Sequence, residues 1–193
     1  MPREARVTTW HLEMLDPAWL RPVGRPDERL SLARVAPPSA ELSRFLYTAV
    51  GGDWYWTDRL PWTHAEWLAY LRRPEVETWV ASLDGAPCGY VELEQQPDGN
   101  VEIAYFGLLR GFTGRRIGGH LLSVAVARAW SLGPPSTRRV WVHTCSLDGQ
   151  HALANYQARG FRVFKTETQT QLLPDAPPGP WPGATPSCTV HTP

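Results

Sequence analysis

The sequence predicts an α/β fold in which a mixed, mostly antiparallel sheet carries helices on both faces. Three observations lead to this prediction. The chain of 193 residues is long enough to bury one core. Its hydrophobic spacing changes repeatedly between the period of two that strands show and the period of 3.6 that helices show. A meander of three strands is followed by a helix and then by another strand. This strand–helix–strand order adds a parallel pair to the sheet.

The first third of the chain predicts two strands and two helices. Alternating apolar residues predict a strand over 30–36, and an extended segment is predicted before it, over 6–14. Ser39 precedes a helical pattern of apolar residues, and the hydroxyl of Thr63 can cap a second helix, which Pro74 stops.

Three short strands follow and predict the antiparallel meander. They cover 78–83, 88–95 and 101–109, with Asp84-Gly85 as a hairpin turn and 97–100 as a second turn.

The last part of the chain alternates helices and strands. We predict, in order, a helix over 117–130 ended by Gly133-Pro134-Pro135, a strand over 138–144, a helix over about 150–159 and a strand over 161–172. Asp148 is placed to cap the short helix, and Gly160 is placed to end it.

The prolines separate the two ends of the chain from its middle. Six of the 19 lie in 1–38, six in 39–173 and seven in 174–193. We therefore divide the chain into an N-terminal extension with an extra strand (1–29), a folded domain (30–172) and a Pro-rich tail (173–193). The tail composition favours a polyproline-II-like or disordered extension, and the alternative is an irregular surface arm anchored by Trp181.

Charge and cysteine content disfavour several classes of function. The 19 basic and 19 acidic residues cancel, which argues against binding to nucleic acid or to an anionic membrane. Cys88, Cys145 and Cys188 are too few for a disulfide framework and too far apart for a metal site. No apolar run reaches the ~20 residues that span a bilayer, and no signal sequence follows Met1. We expect a cytoplasmic protein without a metal.

The most informative segment joins the third meander strand to the helix that begins at Ile117. It runs Leu108-Leu109-Arg110-Gly111-Phe112-Thr113-Gly114-Arg115-Arg116-Ile117-Gly118-Gly119. Glycines let the backbone approach a ligand, and the free N–H groups and dipole of a helix N-terminus favour an anion. Arg115 and Arg116 oppose that dipole unless an anion lies between them. The segment therefore predicts a phosphate-binding loop, with a solvent-facing arginine pair as the alternative, and it lacks the glycine patterns of ATP and NAD sites.

This loop resembles the pyrophosphate loop of the GNAT superfamily of acyl-CoA-dependent N-acyltransferases, Gln/Arg-x-x-Gly-x-Gly/Ala. The matching run is Thr113-Gly114-Arg115-Arg116-Ile117-Gly118, in which Thr113 replaces Gln/Arg and Arg116 replaces the middle glycine. A second run, Asn155-Tyr156-Gln157-Ala158-Arg159-Gly160-Phe161, is similar to the family's second cofactor helix, which ends Tyr-x-x-x-Gly-Phe. The resemblance covers about 30–172 and implies a sheet whose fourth and fifth strands, 101–109 and 138–144, splay apart to admit a pantetheine arm.

The resemblance implies acetyl-CoA as co-substrate. Backbone groups of Phe106, Gly107 and Leu108 would pair with pantetheine, and Gly107 is the expected site of a β-bulge between the splayed strands. The alternative for Gly107 is relief of packing against a bulky neighbour. The residues assigned to the cofactor are Phe106, Gly107, Leu108, Thr113, Gly114, Arg115, Arg116, Ile117, Gly118, Gly119 and Asn155.

The implied reaction is direct attack of a neutral amine on a thioester, so a base must first remove a proton from the ammonium. The number of residues between Glu102 and the glycine loop matches the position of the base in histone-type members of the family. Strand alternation predicts that Glu102 and Phe106 lie on the same face of the sheet. An ordinary solvent-facing carboxylate is the alternative for Glu102. Glu92 and Glu94 are the reserve candidates.

Tyr156 matches the family residue that protonates the leaving thiolate, and the alternative is a ring that only packs against the cofactor. His120 and His143 are interpreted as bystanders on a helix surface and a core strand.

Five of the ten tryptophans fall between Trp54 and Trp79, in and around the loop between the first two helices. The resemblance implies that this loop walls the acceptor site, with core packing as the alternative. We assign Asp53, Trp54, Tyr55 and Trp56 to substrate binding. With Asp58 and Arg59 nearby, such a wall suits a cationic amine with an apolar or carboxylate-bearing body.

The expected function is acetyl transfer to a primary amine of a small molecule. The alternatives are a protein N-terminal or lysine acetyltransferase and a non-catalytic acyl-CoA-binding module. No nucleic-acid or membrane partner is expected, and the sequence leaves open whether the protein forms a homodimer.

Overall fold

The computed structural model describes residues 2–132, 137–181 and 184. The strands are β1 (Arg3–Met14), β2 (Leu30–Arg34), β3 (Val76–Leu83), β4 (Ala86–Gln96), β5 (Asn100–Leu108), β6 (Arg139–Cys145) and β7 (Arg162–Leu173). The α-helices are α1 (Ala40–Gly51), α2 (His64–Leu71), α3 (Ile117–Trp130) and α4 (Ala152–Ala158). The strands form one sheet in the order β2-β3-β4-β5-β6-β1-β7, in which only β5 and β6 run parallel. This arrangement confirms the predicted fold class.

Local signals placed most of these elements correctly. The Ser39 hydroxyl accepts a hydrogen bond from the backbone N–H of Leu42 at 3.1 Å and caps α1. Thr63 and Glu66 form a capping box at the start of α2. Asp84 and Gly85, with φ of 51° and 82°, make the two-residue turn between β3 and β4.

The predicted cap of α4 is wrong. The Asp148 carboxylate accepts hydrogen bonds from the Thr144 hydroxyl at 2.6 Å and the Cys145 N–H at 2.8 Å, so it holds the end of β6. His151 takes the N-cap position without a side-chain hydrogen bond. Gly160 ends α4 with φ of 105°, as predicted. The predicted stop of α3 at 133–135 lies outside the described residues.

Helices cover both faces of the sheet. On the face that we call the α3/α4 face, Leu121 and Val126 pack with sheet residues such as Ile103 and Val142. On the opposite, α1/α2 face, the core contains Tyr47 of α1, Trp67 and Leu71 of α2, and Val76 of β3.

The gap between β5 and β6 creates the site. Their parallel pairing joins only Asn100–Glu102 to Arg139–Trp141. Beyond this point β5 continues to Leu108 against β4, and β6 continues to Cys145 against β1. The two strands therefore diverge after Glu102, which confirms the predicted splay of the fourth and fifth strands of the domain.

The β-bulge of β5 lies at Ala104, and its prediction at Gly107 was wrong. Glu92 pairs with Tyr105 and Leu93 pairs with Ile103, so Ala104 has no partner on β4. The extra residue bends β5 just where β6 leaves it.

Gly107 serves the alternative role, close packing. It stays in register opposite Tyr90 of β4. A Cβ atom on Gly107 would overlap Cγ1 of Val50, so the missing side chain lets α1 lie directly on β5.

The bulge also reverses the expected relation between Glu102 and Phe106. Val101 and Ile103 belong to the α3/α4 core, and Phe106 packs against the same core. Glu102 lies between Val101 and Ile103 on the strand, so its side chain points to the opposite, α1/α2 face. The prediction that Glu102 and Phe106 share a face was wrong, because one extra residue inverts the alternation.

The described residues near both ends of the chain contact the sheet or its helices. Strand β1 lies between β6 and β7, and Arg3 pairs with Leu173. In the tail, the Gly179 N–H donates to the Gly52 carbonyl at 2.9 Å, whereas Trp181 is 61% exposed. The rest of the tail, 182–183 and 185–193, lies outside the described residues.

No helix in the described part of the chain combines the length and apolar character needed to cross a membrane. The same residues contain no group of three or more His, Cys, Asp or Glu that could hold a metal ion. Cys88 and Cys145 are free thiols.

Candidate active site

A cavity of about 980 Å³ runs through the gap between β5 and β6. Its lining includes Phe106 and Tyr156, which pack against the α3/α4 core, and also Trp56 and Tyr105, which pack on the α1/α2 face. The cavity therefore connects the two faces of the sheet, and two reactants can enter it from opposite sides.

The predicted phosphate loop forms one end of this cavity. The loop and the first turn of α3 contribute Thr113, Gly114, Arg116, Gly118 and Gly119 to its lining. The first backbone N–H groups of α3 have no partner within the helix, so this end of the cavity favours an anion.

Arg116 explains how this chain departs from the family's glycine pattern. The residue precedes α3 in the left-handed conformation, with φ of 62° and ψ of 1°. A glycine adopts this conformation without strain, but an arginine adopts it at a cost. Arg116 thus holds a conformation that favours glycine, and its side chain adds a cation that lines the cavity.

Two other residues assigned to the cofactor do not line the cavity. Ile117 is 2% exposed and belongs to the core. Arg115 is exposed, and its guanidinium lies 5.5 Å from the centroid of the Phe112 ring.

The free edge of β5 and the helix α4 form the two long walls. Phe106, Gly107 and Leu108 line the cavity from β5, and Asn155 and Tyr156 line it from α4. Because β6 no longer pairs with β5 here, the backbone of β5 is available to a chain that carries amide groups.

The Tyr156 side chain is 5% exposed and lies between the rings of Phe106 and Phe161, with centroids at 6.0 Å and 6.1 Å. Its hydroxyl has no hydrogen-bond partner among the residues that the structure describes. Burial, with the Asp148 charge, raises the pKa of Tyr156 well above 10.0. The hydroxyl therefore stays protonated at neutral pH and can donate a hydrogen bond into the cavity.

Glu102 lies behind the cavity wall and contacts the histidine that forms it. Glu102 Oε1 lies 3.4 Å from Nδ1 of His143, and the cavity lining contains His143 but not Glu102. The other carboxylate oxygen accepts a hydrogen bond from Gln96 Nε2 at 2.7 Å, and Gln96 Oε1 accepts one from Trp141 Nε1 at 2.9 Å. These contacts fix the carboxylate against the ring.

The carboxylate also sets the charge of His143. Its hydrogen bond raises the pKa of His143 above 6.5, burial opposes the rise, and the charges of Asp148 and Asp58 add to it. Sequence reasoning interpreted His143 as a bystander. The outward position of residue 143 in the alternation of β6 was visible, but the parallel pairing that brings it to Glu102 was not.

The reserve candidates Glu92 and Glu94 lie outside the cavity lining. Glu92 is 1% exposed, and its Oε1 lies 2.9 Å from Arg59 Nη1. The Tyr70 hydroxyl contacts both carboxylates at 2.9 Å, and Glu94 also pairs with Arg73 at 2.8 Å. Both acids thus serve internal ion pairs.

The loop after α1 forms the wall on the α1/α2 side. Trp54, Tyr55 and Trp56 line the cavity as assigned, and so does Asp58. Asp53 does not, because its carboxylate forms a two-point ion pair with Arg110, with Oδ2 2.9 Å from Nε.

Sequence reasoning missed the lining that comes from the sheet's far strands, from the end of β6 and from the loop after it. Those residues include Val7, Thr9, Gln171, Leu173, Cys145, Gly149 and His151. The far strands reach the site through the β6-β1-β7 order, which joins segments more than 100 residues apart.

Comparisons with known proteins agree with this geometry. Residues 41–161 match the model of the acetyltransferase (GNAT) family. No curated protein matches the chain.

Solved structures share the fold at low identity. A GCN5-related N-acetyltransferase from Kribbella flavida is 19% identical, with a TM-score of 0.62 over 89% of this chain and 60% of that one. Another from Sphaerobacter thermophilus is 19% identical, with a TM-score of 0.62 over 90% and 54%. An aminoglycoside acetyltransferase from an uncultured soil metagenomic sample is 17% identical, with a TM-score of 0.56 over 70% and 90%.

The chain thus spans 60% and 54% of the length of the first two structures. The family match extends from the start of α1 to the residue that follows Gly160, and so includes β5, the glycine loop and α4. Taken with the splayed strands and the cavity between them, it shows that this chain belongs to the GNAT family of acetyltransferases.

Proposed function

We propose that this protein transfers an acetyl group from acetyl-CoA to a primary amine of a small molecule, by direct attack within a ternary complex. The observation that carries the proposal is the cavity that joins the glycine loop and the N-terminus of α3 on one face of the sheet to a histidine–carboxylate pair at the gap.

The residues at the α3 end of the cavity fit acyl-CoA. Backbone N–H groups of the first turn of α3 and the Arg116 guanidinium would hold its phosphates, and the free edge of β5 would pair with pantetheine. Bound there, acetyl-CoA supplies the acetyl thioester.

His143 is the proposed proton acceptor for the amine. Its Nδ1 is turned to Glu102, which leaves Nε2 for the substrate. Glu102 does not reach the substrate in this arrangement, so it acts as a positioning residue that fixes the ring and raises its basicity.

Tyr156 is the proposed proton donor to the leaving sulfur. Its hydroxyl is protonated at neutral pH and has no competing partner among the described residues. In the net reaction an N–C bond forms and the C–S bond breaks. His143 takes one proton from the ammonium before the attack. After the attack the nitrogen loses a second proton, which replaces the proton that Tyr156 gives to the leaving sulfur.

The test measures thiol release and acetylated product with acetyl-CoA and a panel of primary amines. We expect His143→Gln to lower kcat by about 100-fold or more while the KM for acetyl-CoA changes little. The control is His64→Gln, since His64 is 63% exposed on α2 and lies outside the cavity lining; it should leave turnover unchanged.

Three outcomes would contradict the proposal. Full activity in His143→Gln excludes this histidine as the base. Acetylation of peptides but not of small amines favours a protein acetyltransferase. Binding of CoA by the wild type without turnover on any amine or peptide favours a non-catalytic binding module.

A further inference from the structure

One carboxylate in the acceptor half of the cavity, the half lined by the loop after α1, takes no part in the ion pairs inside the protein. Asp58 lines the cavity beside Trp56 and Thr57, and its side chain is exposed. Among the described residues it has no hydrogen-bond or ion-pair partner. An ionised side chain placed in a cavity wall in this way is available to a charged ligand.

The neighbouring charges are not available, because each is used inside the protein. Asp53 is paired with Arg110. The Arg59 side chain is 8% exposed, and its guanidinium contacts Glu92 at 2.9 Å and lies 4.1 Å from the Tyr70 ring centroid. The carboxylate-bearing acceptor that the sequence left open would need a free cation here, and Arg59 cannot supply it.

The charge of the cavity differs between its two halves. Arg116 is the one arginine or lysine of its lining among the described residues, and it lies at the α3 end. The acceptor half contains Asp58 and the aromatic side chains Trp54, Tyr55, Trp56 and Tyr105. The other carboxylate of the described lining, Asp148, accepts hydrogen bonds at the end of β6. This half therefore favours a cation with an apolar body and disfavours a carboxylate.

Asp58 serves better as a partner for a second cation than for the reacting one. A carboxylate that held the reacting ammonium would stabilise its protonated form and oppose the proton transfer to His143. A second ammonium, held at Asp58, would instead orient the first one toward His143 without entering the reaction.

We propose that Asp58 binds a second cationic group of the acceptor, so that the preferred substrates are diamines or polyamines without a carboxylate. The inference rests on the proposed function, since it names the acceptor class of the same site. The methylene chain of such an amine would lie against the aromatic wall, and its far ammonium would meet Asp58.

The experiment compares matched acceptors on the wild-type protein. Three series of acceptors, matched in chain length, all carry a primary amine at one end. The other end is a methyl group in the monoamines, a second amine in the diamines and a carboxylate in the amino acids. We expect kcat/KM to be highest for a diamine and lowest for the amino acid of the same length.

Asp58→Asn tests the residue. Loss of a hydrogen bond between two charged groups should lower kcat/KM for the best diamine by about 10- to 100-fold, mainly through KM, and leave the monoamine within about 3-fold. Asp58→Glu should restore part of the preference. The control is Glu28→Gln, which removes an exposed carboxylate outside the cavity lining and should leave the selectivity unchanged.

The two proposals fail in different ways. If the wild type acetylates no amine at all, the proposed function fails and this inference falls with it. If the wild type acetylates amines but shows no preference for diamines, or if Asp58→Asn lowers all three series equally, only the assignment of Asp58 is overturned.

Discussion

His143 and Glu102 form the polar contact that crosses the gap between β5 and β6. The two strands are still paired at Glu102 and Trp141, and His143 is two residues further along β6. The carboxylate is 13% exposed and the imidazole is 48% exposed. The carboxylate is therefore held by the protein while the imidazole is open to the cavity, which suits the proposed role of His143 as a proton acceptor with a fixed partner.

The pH dependence of turnover follows from this pair. Protonated His143 cannot accept a proton, so kcat/KM should rise with pH through a pKa above the ordinary 6.5 and then level off. Glu102→Gln removes the largest cause of the raised pKa, so the rising limb should move to lower pH while the plateau falls. The measurement is the pH profile of kcat/KM with one acceptor of constant charge.

Asp58→Asn is the matched control for the pH profile, because its charge is the smaller influence on the pKa of His143. Asp58→Asn should also move the rising limb of the profile to lower pH, but by less than Glu102→Gln does. A profile that does not change in Glu102→Gln would contradict the pairing.

Tyr156 gives a second prediction at the scale of one atom. Tyr156→Phe removes a hydroxyl that has no protein partner among the described residues, so no buried group loses a hydrogen bond. We expect kcat to fall by about 100-fold while Tm stays within about 2 °C of the wild type. A large loss of Tm with unchanged kcat would show that the hydroxyl is structural.

The glycine-loop end of the cavity was easier to predict than the contact between His143 and Glu102, and the reason is the distance along the chain between the residues involved. The glycine loop and the Tyr156 helix each lie within about ten consecutive residues, so their geometry follows from local rules. His143 meets Glu102 through pairing between segments 41 residues apart. Asp53 was chosen over Asp58 because the ion pair with Arg110 cannot be seen in the sequence.

At the scale of the elements, the start of helix α3 combines a backbone position that favours glycine with a charged side chain. The N-terminus of α3 needs a left-handed residue, and Arg116 occupies that position. The strained arginine adds charge where the cofactor's phosphates are proposed to bind. Backbone strain at such a site is tolerated when it places a functional group.

Replacement of Arg116 should separate charge from strain. Arg116→Gly relieves the left-handed conformation and should raise the free energy of unfolding by about 1 kcal/mol. Arg116→Ala keeps the strain, so it should give no such gain. Both should raise the KM for acetyl-CoA several-fold, with a smaller effect at high salt. Thermal melts and initial rates measure the two effects.

Arg115→Ala is the control for charge, since Arg115 lies outside the cavity lining. It should change the KM for acetyl-CoA less than Arg116→Ala does. A reversed order would place the phosphates against Arg115 and refute the assignment.

The elements show where sequence patterns succeed and where they fail. The helix start at Ser39, the cap at Thr63 and the turn at Asp84 were predicted correctly because each depends on residues three or fewer positions away. The bulge at Ala104 was missed because alternation is a property of one strand, whereas a bulge is a property of the pairing with β4. That one residue decides which face Glu102 occupies.

At the scale of the whole molecule, a buried polar cluster ties the acceptor loop to the sheet. Arg59 and Glu92 are 7% and 1% exposed and form an ion pair, and the Tyr70 hydroxyl of α2 donates to the same carboxylate at 2.9 Å. The Arg59 N–H also donates to the Tyr47 hydroxyl of α1 at 3.2 Å. The loop that forms the aromatic wall is therefore fixed to α1, α2 and β4 at one point, adjacent to Asp58.

A double-mutant cycle tests this anchor. Arg59→Met or Glu92→Leu alone leaves one buried charge without its partner, which should cost about 3–5 kcal/mol and lower Tm by about 6–20 °C. The double variant removes both charges and should be more stable than either single variant. The control is Arg29→Met, which removes the surface ion pairs of Arg29 with Asp27 and Asp84 and should leave Tm nearly unchanged. Additive losses in the cycle would show that the two side chains act independently. Because the loop positions the aromatic wall, the single variants should also raise the KM for the amine more than the KM for acetyl-CoA.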